Sequence, residues 1–118
     1  MKYALQHYAD ESIQPDYSTP EGAAEMEQWG RFTDDLVAAG AMLGGEALLE
    51  TPNATTVKIR DGATLTADGP FAETKEALGG FYLIDVADLD AAIAWAEKIP
   101  NVGYGTVEIR PVMSFDDE

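Results

Sequence analysis

Side chains at positions 2–8 alternate: Tyr3, Leu5 and His7 on one side, Ala4, Gln6 and Tyr8 on the other. That is the period-two signature of a strand. Polar residues and Pro15 break the pattern, and Thr19-Pro20-Glu21 opens a helix. Thr19 suits the cap, Pro20 the first helical position, and Glu21 and Glu25 the positive end of the helix dipole. Met26, Trp29, Phe32 (or Thr33) and Leu36 then recur at helical spacing until Gly40, a left-handed cap. The spacing predicts a helix of about 20 residues, long enough to cross a sheet.

A second strand is expected over 42–49, with Gly44-Gly45 marking a bulge or a close backbone approach. Strands over 55–60 and 63–67 flank Asp61-Gly62, a strong hairpin turn signal. A two-residue loop sets Lys58 opposite Leu65 and Val57 opposite Thr66. Neither face of that hairpin is cleanly apolar, so it should project from the core. A strand over 81–86 follows Gly79-Gly80. Asp88 caps a second helix whose stripe is Leu89, Ala92, Ile93, Ala96 and Ile99, stopped by Pro100. Val107 and Ile109 alternate with Glu108 and Arg110 in a last strand. The order is strand, helix, strand, hairpin, strand, helix, strand. It predicts a ferredoxin-like α+β sheet with two helices on one face and an inserted β-hairpin. The uncovered sheet face predicts a homodimer.

Composition narrows the function. The chain has 118 residues, read as one domain over 1–113 and an acidic tail over 114–118. It holds 22 acidic and 7 basic residues, a formal net charge of −15. Phosphate backbones and anionic lipid are therefore poor partners, and we expect neither nucleic-acid nor membrane binding. No secretory leader or membrane-length apolar run is visible, so a cytoplasmic location is expected. There is no cysteine and one histidine, which argues against a zinc site. No dinucleotide or phosphate-loop fingerprint appears either, so we expect no metal and no cofactor.

Candidate chemistry concentrates in DGPFAETKE, residues 68–76. Gly69 before Pro70 favours extended or positive-φ backbone, Asp68 can bond nearby N–H groups, and Phe71 can bury as an anchor. All four identities thus have a structural explanation. The functional alternative places the Asp68 carboxylate at a pocket mouth as base or ligand contact. Glu73 would be its acid–base partner, and Lys75 either pairs with neighbouring acids or receives an anionic substrate. His7 is a third candidate acid–base group, against the plainer reading of a locally satisfied strand histidine. Gly45, Glu46 and Tyr82 are candidate pocket-lining residues.

The same block, with LGGFYLI at 78–84, GGEAL at 44–48, TTV at 55–57 and VEIRPV at 107–112, resembles the DGPF-domain branch of the YCII-related family. The likeness runs from about Tyr3 to Met113. It implies a dimeric α+β barrel of ferredoxin-like subunits but assigns no reaction. More distant relatives include a dehydrochlorinase of a small hydroxylated ring that uses a His–Asp pair, its His on the first helix. Here that helix has no histidine, and Trp29 stands in the place. Three readings follow. One is a homodimer binding a small molecule in a pocket near the DGPF loop. Another is a lyase, isomerase or hydrolase using Asp68 with Glu73 or His7. The third is a module partnered with an extracytoplasmic-function sigma factor, beside which proteins of this branch resemble fused or neighbouring components.

Overall fold

The computed structural model describes residues 1–115; the terminal acids of the expected tail, Asp116, Asp117 and Glu118, lie outside the described residues. Strand β1 (Lys2–Ala9) leads to helix α1 (Pro20–Ala38) and strand β2 (Met42–Ala47). A single 3₁₀ turn (Thr51–Asn53) precedes the hairpin strands β3 (Thr55–Arg60) and β4 (Ala63–Asp68). Strand β5 (Ala77–Asp85), helix α2 (Leu89–Ala96) and strand β6 (Thr106–Pro111) complete the chain. The main sheet has the order β2-β5-β1-β6, and every pairing in it is antiparallel. This is the ferredoxin-like α+β arrangement.

Local chemistry explains the element ends. The Thr19 hydroxyl accepts from the Gly22 amide, Pro20 sits at the first helical position, and Gly40 follows α1 with φ +71°. Asp88 caps α2 by accepting from the Ala91 amide at 2.9 Å. The hairpin turns on Asp61 (φ 53°) and Gly62 (φ 78°), with Lys58 opposite Leu65 and Val57 opposite Thr66 as its spacing predicts. It forms a sheet of its own and exposes Val57, Ile59 and Leu65.

The core lies between one sheet face and the helices. Tyr3, Leu5, Phe32, Leu36, Ile84 and Ile99 form its centre, joined by Ala92 and Ala96. The α2 stripe is narrower than its spacing suggests: Leu89 and Ile93 stay exposed while the small Ala92 and Ala96 are buried. Small residues let the helix axis approach the sheet. Phe32 meets Tyr82 and Trp95 edge-on, with ring centroids 5.1 and 6.0 Å apart.

Glycines fix how closely the strands pack. A Cβ on Gly45 would stand 2.5 Å from the Phe81 carbonyl oxygen, and one on Gly80 would stand 2.6 Å from that of Glu46. The pairing of β2 with β5 also slips between Met42 and Gly44, the bulge that the glycine pair predicts. Gly80→Ala is expected to cost about 1–3 kcal/mol in urea unfolding, the usual range for overpacking. Gly30→Ala, on the exposed side of α1 with nothing within 4 Å, should instead stabilise by roughly 0.5–1 kcal/mol. Equal effects at the two positions would contradict this packing account.

Candidate functional site

Two Asp-x-Ser turns build the loop between β1 and α1. The Asp10 carboxylate accepts from the Ser12 amide and hydroxyl at 2.9 and 2.6 Å. Asp16 does the same with Ser18 at 2.9 and 2.7 Å. These bonds hold both carboxyls below the usual range. The turns present their central residues, Glu11 and Tyr17, to a cavity of about 510 Å³. That volume lies within the range of small-molecule sites.

The sheet side of this cavity carries His7 of β1, Gly45 of β2 and Tyr82 of β5. Gly45 and Tyr82 are directly paired, so they share the helix-facing side. Helix α1 contributes Met26, Trp29 and Thr33, and Leu48, Leu49 and Glu50 close the far end. Glu46 and Phe81 also border it. Strand alternation points their side chains to the other sheet face, so they meet the cavity through main chain.

His7 is 8% exposed and sits in an aromatic cluster. Its ring centroid is 4.8 Å from that of Trp29 and 6.4 Å from that of Tyr82. Trp29 and Tyr82 are nearly parallel, 10° apart with centroids at 6.4 Å. Thr33 Oγ1 and the Tyr82 hydroxyl share a hydrogen bond at 3.1 Å. His7 packs over Gly79 and Gly80; a Cβ on Gly80 would lie 2.7 Å from its Nε2. Its Nδ1 is buried with no hydrogen-bond partner among the described residues. Burial without a counter-charge lowers its pKa below the ordinary 6.5, so the imidazole is neutral at pH 7.

The loop over this cavity is fastened by one carboxylate. Glu25 Oε2 accepts from the Tyr17 hydroxyl at 3.0 Å and from Trp29 Nε1 at 3.4 Å, and Oε1 accepts from the Tyr104 hydroxyl at 2.7 Å. Desolvation, then the bond to Glu25, pushes the Tyr17 phenol up to about 12 and raises that of Tyr104 as well.

The DGPF segment lies apart from His7. Pro70, Ala72, Glu73, Thr74 and Lys75 line a second cavity of about 360 Å³, with Asp10, Glu11 and Thr51 opposite. Glu11 belongs to both cavities and accepts from the Thr51 amide and hydroxyl at 2.9 and 2.6 Å. Asp68 and Gly69 line neither. Asp68 is an exposed strand residue paired with Thr55, with no side-chain hydrogen bond among the described residues. Gly69 takes φ +97°, donates its amide to the Ala54 carbonyl at 2.7 Å and accepts from Thr56 Oγ1 at 2.8 Å. It ties off the base of the hairpin. Phe71 is not the buried anchor its type suggests: it is 79% exposed, with Lys58 Nζ 5.2 Å from its ring centre. A single chain offers no apolar surface at that point for the ring to enter.

The candidate residues thus divide. His7, Gly45, Glu46 and Tyr82 meet at the larger cavity; Pro70, Glu73 and Lys75 meet at the smaller one; Asp68, Gly69 and Phe71 stand outside both. Sequence reasoning passed over Tyr17 and Glu11, set Thr33 only on the helical stripe, and set Trp29 on that stripe and in the place of the relatives' histidine. The two Asp-x-Ser repeats were the available signal for Tyr17 and Glu11.

These features define a ferredoxin-like α+β protein with an aromatic cavity between its first helix and its sheet. A YCII-related domain model matches residues 1–116, and the chain belongs to that family. It is 40% identical over 114 residues to an uncharacterized protein of Rhizobium meliloti (strain 1021), spanning 95% of this chain and 92% of that one. No helix among the described residues is long and apolar enough to cross a membrane.

The depressed His7 pKa has a thermodynamic consequence. The unfolded chain binds the proton more readily, so stability is full above pH 6.5 and falls as pH drops from there to the folded value. In ¹H–¹³C spectra, His7 should titrate below 6.5, and His7→Phe should flatten stability between that pKa and 6.5. A His7 titrating at or above 6.5 would contradict the burial argument.

Proposed function

We propose that this protein binds a small organic molecule in the cavity bordered by His7, Trp29 and Tyr82. One observation carries the reading: a histidine more than nine-tenths buried at the wall of an open cavity, with no partner on either ring nitrogen among the described residues. A buried polar group left unpaired costs about 1–3 kcal/mol, and a ligand hydrogen bond would recover that. A fragment screen followed by amide and indole NMR should give hits that shift the Trp29 indole and the Gly79 and Gly80 amides. Hits that shift only residues 72–75 would move the site to the smaller cavity.

A second reading, acid–base chemistry, is favoured by the neutral state of His7, which suits a base at pH 7. This reading leaves out Asp68 and Glu73, since neither borders the His7 cavity. Asp68→Asn should therefore leave fragment binding within twofold of the parent, measured by the same titrations. A larger loss with an unchanged melting temperature would restore Asp68 to the site.

The DGPFAETKE block supports placing the chain in the DGPF branch. We further propose that the working unit is a homodimer. The radius of gyration is 16.4 Å, against about 13.5 Å for a compact domain of this length. The excess comes with a projecting hairpin that leaves Val57, Ile59, Leu65 and Phe71 uncovered. Sedimentation equilibrium at micromolar concentration should return twice the chain mass, 12.7 kDa. A monomer would end the proposal.

A further inference from the structure

The walls of the larger cavity carry a consistent chemistry. Four aromatic rings meet there: Tyr17 from the loop, Trp29 from α1, Tyr82 from β5 and the imidazole of His7. The carboxylates at its border are those of Glu11 and Glu50, with Glu46 turning its side chain to the other sheet face, and no Lys or Arg is among the lining residues. Lys75 lines the smaller cavity, which shares Glu11 with this one, and acts on Asp10. The chain as a whole carries a net charge of −15, so the surrounding field adds to the local one. An anionic ligand entering here would meet carboxylates, with no counter-charge to receive it.

The aromatic faces work in the same direction. Tryptophan and tyrosine rings attract cations through their quadrupoles, most strongly where water is excluded. Trp29 is half-buried and donates its N–H to Glu25. That contact, with the ring's packing against His7 and Tyr82, sets the plane of the indole. His7 supplies a third, independent requirement. A neutral imidazole has one nitrogen that accepts a hydrogen bond and one that donates, and neither ring nitrogen of His7 has a partner among the described residues. The ring is therefore free to take the tautomer that accepts from a ligand N–H or O–H.

Resting on the reading that this cavity binds a small molecule, we propose that its ligand class is an organic ammonium: a protonated primary or secondary amine on an aromatic or short aliphatic body. The apolar body fills the space among Met26, Met42 and Leu48; the ammonium lies against Trp29 and Tyr82 and donates to His7; Glu11 and Glu50 supply the counter-charge. The class excludes carboxylates and phosphates.

Three probes that carry their polar group on the same phenylethyl body test this on the full chain: 2-phenylethylammonium, 2-phenylethanol and 3-phenylpropanoate. Affinities are read by calorimetry, and occupancy by the shift of the Trp29 indole proton. The ammonium should bind at least tenfold more tightly than the carboxylate, with the alcohol between them. Because its side chain is exposed, the Glu50→Gln variant should fold as the parent does. It should narrow the ammonium-to-alcohol ratio at least threefold without changing the affinity for the alcohol. Trp29→Leu should weaken the ammonium more than the alcohol. Equal or tighter binding of the carboxylate, or a ratio untouched by both variants, overturns the ammonium class while leaving a small-molecule cavity in place. Failure of all three probes to shift the Trp29 indole at millimolar concentration overturns both.

Discussion

The contact on which this structure depends is an imidazole laid over a stretch of strand that has no side chains. His7 of β1 rests on Gly79 and Gly80 of β5, and any side chain at position 80 would occupy the space of its ring. Two bare residues therefore decide several things together. They let β1 and β5 pair across a bulge between His7 and Tyr8. They let the Glu46 carbonyl on β2 come close to β5 from the other side. They also give His7 a floor, so that its ring rises against Trp29 and becomes part of a cavity wall. Paired glycines in a strand weaken it intrinsically; here the loss is offset by the packing they permit.

The cavity follows from the same geometry. The Trp29, Tyr82 and His7 rings pack together between helix α1 and the sheet, while Phe32 and Leu36, further along the helix, are buried in the core. The cavity opens beside these rings, between the first half of the helix and the sheet. The loop 10–19 crosses that opening. Gly22 is buried beneath it, with the Asp16 carbonyl where a Cβ would stand. Shape, polarity and charge thus arise from residues on separate elements that the sheet order brings together.

Much of the framework was legible in the chain. Alternation in β1, the Thr19-Pro20 start, the Gly40 stop and the Asp61-Gly62 turn each express a backbone rule at its own position, without reference to distant contacts. Phe71 and the Leu89–Ile93 side of α2 were misjudged for one shared reason. A hydrophobic type states a preference for burial, but only the tertiary arrangement decides whether a partner surface is there. The site was harder still. The DGPFAETKE block drew attention because its composition is unusual, yet Gly69 spends its special backbone on closing a hairpin. Trp29 and Thr33 sit on the helical stripe that also makes core, so spacing alone could not separate wall from interior. His7 was visible as a lone strand histidine; its missing partner became visible only when the opposite strands were in place.

Glu25 shows how unevenly a surface position can be constrained. It looks like one more acid on an acidic helix, yet it receives three donors from three parts of the chain: Tyr17, Trp29 and Tyr104. Aspartate is one methylene too short to reach all three. Glutamine has the right shape, but its amide nitrogen is itself a donor, so one tyrosine would have to reverse its role and accept. Lysine and arginine cannot accept at all. In the vocabulary of substitution, this position has near neighbours in size and in charge but no synonym.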